Sequence, residues 1–371
     1  MNSIANSNAV PFNDLGRGTQ ALRTQIDAAV DRVLSSGWYV LGPEHDALES
    51  ELGRYMGESQ SVLVGNGTDA LQLALTALGV APGDTVLTAA NAGGYTSTAV
   101  RSLGAVPVYA DVDPNTLLLT VETLEQALSG LEKAPRVVVI THLFGTAADM
   151  TSIMAWAEAR NLTVIEDCAQ SLGAMHNGAR AGTFGKISTT SFYPTKNLGA
   201  LGDGGALFTS DPDVAARLRQ LRQYGWVSKY TTSVPGGRNS RMDELQAAIV
   251  RVKLPLLDGW NERRRQIHEH YERAISGNAR LVNRSTPEYV GHLAVVDVED
   301  RDRARKLLSD LGITTDVHYP TPDHLQPLVA SERSVELPVT EAAANRIFSV
   351  PLFPDLTDQE VERVASALGS L

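Results

Sequence analysis

A lysine just after a strand-like run and just before a glycine-rich loop is well placed to act as a nucleophile. The stretch Ser191-Phe192-Tyr193-Pro194-Thr195-Lys196-Asn197-Leu198-Gly199-Ala200-Leu201-Gly202-Asp203-Gly204-Gly205 has this form. Most lysines stay solvated and inert. One held in a partly desolvated pocket can form a Schiff base with a carbonyl. The four glycines that follow let backbone approach a ligand closely, and Ser191 offers a hydroxyl to a phosphate.

Two further stretches carry chemistry. Ile165-Glu166-Asp167-Cys168-Ala169-Gln170-Ser171 closes an apolar run with adjacent carboxylates. Neighbours on a strand face opposite sides, so only one of the two can reach a given site. A carboxylate at the end of a buried strand is costly unless a cation pairs with it. A structural ion pair or a helix cap would satisfy it equally well. Cys168 reads as a small buried residue, since nothing nearby in sequence activates it. Gly65-Asn66-Gly67-Thr68-Asp69-Ala70 joins a strand pattern to a helix pattern. Thr68 and Asp69 fall at the expected N-cap and first turn, where free N–H groups bind phosphate. The same residues fit a plain tight turn, or the G-x-G-x-x-A form of a dinucleotide fingerprint. The fingerprint requires an acidic residue at the end of the next strand, and that strand ends in Ala89-Ala90-Asn91. A phosphate turn, a carboxylate and a lysine, each after its own strand, together meet the needs of pyridoxal phosphate (PLP).

The elements that must position these groups follow from periodicity. Strand-like runs begin near Ser61, Thr85, Ala105, Arg136, Leu162, Ile187 and Gly205, with helical patterns between several of them. Leu71, Ala74, Leu75 and Leu78 form one helical stripe. This alternation predicts an α/β fold with a mainly parallel sheet covered on both faces, and ligands beyond the carboxyl ends of its strands. From Asp243 to about Ile275 the pattern is helical, with Pro255 and Gly259 expected to kink or interrupt it. A strand near His292–Val298, a helix at Arg301–Gly312, a Pro-rich loop at His318–Pro327 and a last helix from Thr357 predict a smaller α+β domain. The expected domains are 16–250 and 251–371, with residues 1–15 packing on the second.

The chain has 371 residues, 43% hydrophobic and 20% charged, and a net charge of −11. That is an ordinary globular composition of about two domains' length. The acidic balance argues against nucleic acid as a partner. A single cysteine forbids an intrachain disulfide and suits a reducing cytoplasm. No secretory signal pattern and no membrane-spanning run is recognised. No metal site is expected.

VGNGTDAL, EDCAQSLGA, SFYPTKNLGALGDGGA, NSRMDELQAAI and HYPTPDHLQP occur in this order. In them the chain resembles the DegT/DnrJ/EryC1/StrS family of PLP-dependent nucleotide-sugar aminotransferases, over about residues 10–370. The resemblance implies the type I (aspartate aminotransferase-like) transferase fold and a homodimer with sites at the subunit interface. It implies that Lys196 carries the cofactor, that Asp167 pairs with the pyridinium nitrogen, and that Gln170 approaches the ring 3-hydroxyl. Gly67, Thr68, Asp69 and Ser191 would hold the phosphate, with Asn239 reaching it from the other subunit. Lys229 and Tyr319 match places that face the sugar in some relatives. Relatives commonly stack an aromatic residue on the ring. Here Tyr95, in Asn91-Ala92-Gly93-Gly94-Tyr95-Thr96, is the only nearby aromatic and is displaced by about two positions.

His142 and His318 are candidates for substrate contacts, His142 fitting a satisfied strand-end histidine as well. Arg263-Arg264-Arg265 reads as a solvated helix face. The expected reaction is glutamate-dependent transamination of a nucleotide-linked keto sugar, best matched to a dTDP-3-keto-6-deoxyhexose. The alternatives are amination at C-4 and a PLP-binding regulator without turnover. A dehydratase of the same family would carry histidine in place of Lys196.

Overall fold

The computed structural model describes residues 9–129, 131, 133–330 and 335–371. A central sheet is built from β1 (Gln60–Val64), β2 (Thr85–Ala89), β3 (Val106–Ala110), β4 (Val137–Thr141), β5 (Thr163–Asp167), β6 (Ile187–Ser191) and β7 (Gly205–Thr209). Their spatial order is β3-β2-β4-β5-β6-β7-β1. Strands β2 to β6 pair in parallel, while β7 runs antiparallel to both β6 and β1. All seven predicted runs form strands. Their near-continuous apolar character follows from burial on both faces. In β4, Val137 and Val139 join a cluster with Leu73 and Ile165, while Val138 and Ile140 join one with Phe144 and Trp156.

The helix Gly67–Ala77 follows β1, and residues 70–75 are all buried. Its N-cap is Asn66, whose side chain accepts from the Asp69 N–H at 2.8 Å. Thr68 therefore lies in the first turn and not at the cap position expected for it. The later helical stretch divides into Glu244–Lys253 and Leu257–Ala274, separated by a 3-10 turn, Leu254–Leu256, that contains Pro255. Gly259 lies inside the second helix without interrupting it.

A three-stranded antiparallel sheet, Arg280–Leu281, Ala294–Asp297 and Ile347–Val350, forms the C-terminal layer. Its core includes Tyr271, Val296, Phe348, Leu368 and also Val10. Val10 bonds to this layer through the Gly312 carbonyl at 2.8 Å and the Thr314 N–H at 3.0 Å. Arg17 forms a two-pronged pair with Glu360, both bonds 2.7 Å. The N-terminal segment is thus fixed beside the C-terminal helix Asp358–Leu368. Among the described residues, no helix is long and apolar enough to cross a membrane.

The Pro-rich loop is pinned to the large sheet side by Asp323. Its backbone N–H donates to Ala90 at 2.7 Å, and its carboxylate accepts from Ser97, which in turn accepts from Tyr109. Burial raises the Asp323 pKa to about 6, above the effect of the Ser97 bond. A carboxyl raised above its unfolded value stabilises the fold most below about pH 4, and that contribution is lost as pH rises through about 6. Asp323→Asn is therefore expected to gain about 1 kcal/mol over the parent between about pH 5 and pH 7.5. Thermal melts at the two pH values check this; an unchanged difference contradicts it.

Candidate active site

A cavity of about 590 Å³ opens beyond the carboxyl ends of β5 and β6, and Asn66, Gly67, Thr68, Asp167, Ser191 and Lys196 are on its wall. The turn carrying Lys196 is pinned on both sides. Phe192 is fully buried, and Leu198 is 1% exposed. Asn197 donates to Asn261 at 2.7 Å and to the Val290 carbonyl at 2.9 Å. These anchors leave the Lys196 side chain half-buried at the cavity wall. Burial draws its ammonium pKa down to about 8, against the opposing charge of Asp167. The lysine thereby reaches its nucleophilic free-amine form at a much lower pH than an exposed lysine does.

Asp167 ends β5 and is 5% exposed. It accepts from the Ala169 N–H at 3.1 Å and the Thr141 hydroxyl at 3.4 Å. Burial pushes its pKa up despite these donors and the charge of Lys196. Glu166 points to the opposite face, as strand geometry requires. It accepts from the N–H groups of Gly182, Phe184 and Gly185 at 2.7, 2.8 and 2.7 Å, and bonds His142 at 3.0 Å. Nδ1 of His142 accepts from the Ala148 N–H at 3.1 Å, which leaves the proton on Nε2 for Glu166. His142 is fully buried with both ring nitrogens engaged, so it is the satisfied strand-end histidine and not a substrate contact.

At the far wall, helix Gly67–Ala77 begins against Ser191. A Cβ on Gly67 would lie 2.7 Å from the Ser191 Cβ, so only glycine permits this approach. The first-turn N–H groups of Gly67 and Thr68 have no helical carbonyl to bond and face a site suited to an anion. Asp69 stands apart. Its N–H is taken by Asn66, and its carboxylate bonds Arg238 at 2.8 Å and Ser240 at 2.6 Å. Its role is to fix the turn.

Tyr319 lines the cavity, and the buried Gln170 supports it: Gln170 Nε2 donates to the Tyr319 hydroxyl at 3.0 Å and its Oε1 accepts from the Phe144 N–H. Gly93, at φ +80°, makes room: a Cβ there would lie 2.8 Å from the Tyr319 ring. Tyr95 begins the helix Tyr95–Ser102, is 48% exposed, and meets Tyr319 edge-on at 6.3 Å. His318 lines the same wall, stacked on Phe12 at 5.7 Å. His292 is also on it; its Nδ1 meets Asn197 Oδ1 at 3.0 Å, and because that oxygen can only accept, Nδ1 carries the proton. Sequence reasoning missed Phe12, His292 and Arg264. Arg264 is 6% exposed and not part of a solvated face. Phe12 and His292 lie in stretches without a motif and reach the site only through tertiary packing.

Lys229 and Asn239, like Asp69, lie outside the chain's own cavity. Lys229 is exposed on the hairpin Trp226–Ser228/Thr231–Thr232, its ammonium 5.2 Å from the Tyr230 ring centre. Asn239 is exposed and lines a separate recess with Val40 and Asp69.

The residues at this cavity fit PLP. Asp167 is a buried carboxylate that accepts from the Ala169 N–H and the Thr141 hydroxyl but forms no ion pair among the described residues, and a ring N–H would supply one. The Lys196 amine stands opposite a cradle that a Cβ on Gly67 would fill.

Comparison with known proteins agrees. The family model for the DegT/DnrJ/EryC1/StrS aminotransferase family matches residues 20–369. The erythromycin biosynthesis sensory transduction protein EryC1 of Saccharopolyspora erythraea is 42% identical over 97% of this chain and 98% of its own. The dTDP-3-amino-3,4,6-trideoxy-alpha-D-glucose transaminase of Streptomyces venezuelae is 40% identical over 99% and 97%. The crystal structure of S. venezuelae DesV in complex with a ketimine intermediate superposes with a TM-score of 0.93, at 39% identity, covering 98% of each chain. Likeness along nearly the whole length, with a depressed lysine and a buried carboxylate in one cavity, makes this chain a member of the DegT/DnrJ/EryC1/StrS aminotransferase family, a PLP-dependent aminotransferase.

Proposed function

We propose that the protein moves the amino group of glutamate onto a nucleotide-linked 3-keto-6-deoxyhexose, best matched to the dTDP form, giving a 3-amino sugar and 2-oxoglutarate. The observation that carries this reading is Lys196, with its amine drawn to about pKa 8, sharing one cavity with Asp167. PLP, when bound, supplies the electron sink for breaking the donor's C–H bond. The protein's own residues do the rest. Lys196 Nζ takes a proton and returns it, a task suited to a pKa near the working pH. Asp167 holds the proton of a ring nitrogen. The Gly67–Thr68 turn and Ser191 hold a phosphate. Gln170 and Tyr319 bound the ring side, and His318 and Tyr319 flank the space for a sugar.

The choice of C-3 leans on the S. venezuelae transaminase, which is named for a dTDP-3-amino sugar. Incubation with dTDP- and UDP-linked keto sugars and glutamate, with the product read by NMR, is expected to place nitrogen on C-3. Nitrogen on C-4 would overturn the position and keep the reaction class. The second reading, a PLP-binding regulator, is favoured by the name of the S. erythraea relative; the intact pair Lys196 and Asp167 argues for turnover.

The site is completed, in this reading, by a second copy of the chain. Asn239 and Lys229 lie outside their own cavity, and the segments beside them expose Trp38 (57%) and Tyr39 (51%), next to Val40 in the recess of Asn239, and Tyr230 (76%), next to Lys229. Such aromatic side chains are favoured at subunit contacts. Activity and cofactor absorbance are expected to fall together on dilution into the monomer range, and Asn239→Ala should weaken PLP binding. A fully active monomer by light scattering contradicts this.

A further inference from the structure

Arg264 sits in the helix Leu257–Ala274 between two arginines that behave normally. Arg263 pairs with Asp358 at 2.7 Å and Arg265 with Glu262 at 2.6 Å, both near the surface. Arg264 is 6% exposed and, among the described residues, has no carboxylate partner. Its Nη1 donates to the carbonyls of Gly291 (3.2 Å) and Leu352 (2.6 Å), while its Nε is buried with no partner. A guanidinium offers five donors in a planar fork. A buried cation without an anion is expensive, and evolution seldom leaves one for packing alone. Burial lowers the Arg264 pKa to about 10, with Tyr289 and Asp355 offsetting only part of the effect.

The position of this cation is informative. It lines the main cavity and also the smaller recess beside it, and Lys196 is on the wall of both. The phosphate turn belongs to a different wall, at the start of helix Gly67–Ala77. His292 lies near it, but its Nδ1 proton is spent on Asn197, so it presents an acceptor nitrogen that does not compete for an anion. Of the acids around these two spaces, Asp316 faces His318 Nε2 at 3.8 Å and accepts from the Val317 N–H, and Asp355, in the recess, forms no ion pair with Arg264.

We infer that Arg264 anchors a carboxylate of the amino donor, holding the amino acid beside Lys196. With Nη1 held by two carbonyls and Nε enclosed, the guanidinium is fixed in place and offers its unneutralised charge and remaining donors to a carboxylate. The anchor explains how one cavity can select a small amino acid: the donor's carboxylate is held from the C-terminal layer, while the phosphate turn on a different wall is left to the cofactor. This inference rests on the glutamate-donor reading above.

The test compares the parent holoenzyme with Arg264→Gln and Arg264→Lys, measuring calorimetric binding of glutarate, an unreactive dicarboxylate, and of dTDP. Losing charge-assisted hydrogen bonds should weaken glutarate by roughly 10–100-fold in Arg264→Gln and by less in Arg264→Lys, with KM for glutamate rising in parallel. Affinity for dTDP should stay within about twofold if the guanidinium serves the donor's carboxylate and not the sugar nucleotide. Unchanged glutarate affinity in Arg264→Gln overturns the inference, and so does an equal loss for dTDP, which would assign the guanidinium to the sugar nucleotide. If neither variant folds, the buried Nε–H resonance of the parent decides: it is expected to shift on adding glutarate, and no shift overturns the inference. The donor reading fails separately, if glutamate leaves the parent's visible absorbance unchanged while another amino acid bleaches it.

Discussion

Lys196→Ala is expected to abolish transamination, with a fall of roughly 10⁴-fold or more, because one amine supplies both the covalent tether and the proton transfer. The wall around it should survive. Asn197, Phe192 and Leu198 hold the turn through their own contacts, not through the lysine side chain. The variant should therefore fold and still take up PLP through the phosphate turn. Borohydride should fix the cofactor to the peptide containing Lys196 in the parent and to no peptide in the variant. Labelling of another lysine, such as the half-buried Lys253 with its pKa also near 8, would contradict the assignment. Among the described residues Lys253 has no ion-pair partner, and its ammonium is bonded to the Gly199 carbonyl at 2.6 Å.

The second large effect is electrostatic. Asp167→Asn keeps the shape and the Thr141 contact but removes the charge that would hold a ring proton. Uncoupling a buried charge pair costs about 3–5 kcal/mol. Expressed in the transition state, that is a rate loss of roughly 10²–10³-fold. The neighbouring change separates chemistry from structure. Glu166→Gln places an amide where four donors converge, leaving at least one of the N–H groups of Gly182, Phe184 and Gly185 without an acceptor. It should cost about 1–3 kcal/mol of stability, while the folded fraction keeps kcat within roughly tenfold. Steady-state kinetics with thermal melts of both variants read the contrast; equal rate losses would show that the wrong carboxylate had been chosen.

The difference between these two carboxylates was legible in sequence, because period-two geometry puts adjacent residues on opposite faces. So were the seven strands and the order of turn, acid and lysine, since strands buried on both faces must be apolar and ligand groups must follow them. The direction of β7 was not legible: an apolar pentapeptide reads the same either way, and only its pairing with β6 and β1 defines it. Nor was the cap of helix Gly67–Ala77, where Asn66, Thr68 and Asp69 all have suitable chemistry and backbone geometry selects Asn66. Arg264 was hidden for a related reason. Three arginines in a row look like one charged surface, but successive residues on a helix point about 100° apart, and the middle one turns inward. Phe12 and His292 reach one cavity from segments hundreds of residues apart, which no local pattern can express.

One measurement bears most directly on the central claim that this cavity runs transamination at Lys196 on a nucleotide-linked keto sugar. PLP-saturated protein is mixed with glutamate alone, then with a dTDP-3-keto-6-deoxyhexose, while visible absorbance and 2-oxoglutarate are followed. Glutamate is expected to bleach the absorbance with one 2-oxoglutarate released per site, and the keto sugar to restore it, as two half-reactions sharing one lysine require. Absorbance unmoved by glutamate, with every nucleotide-linked keto sugar inert, would contradict the account and favour a regulator that binds PLP without turning over.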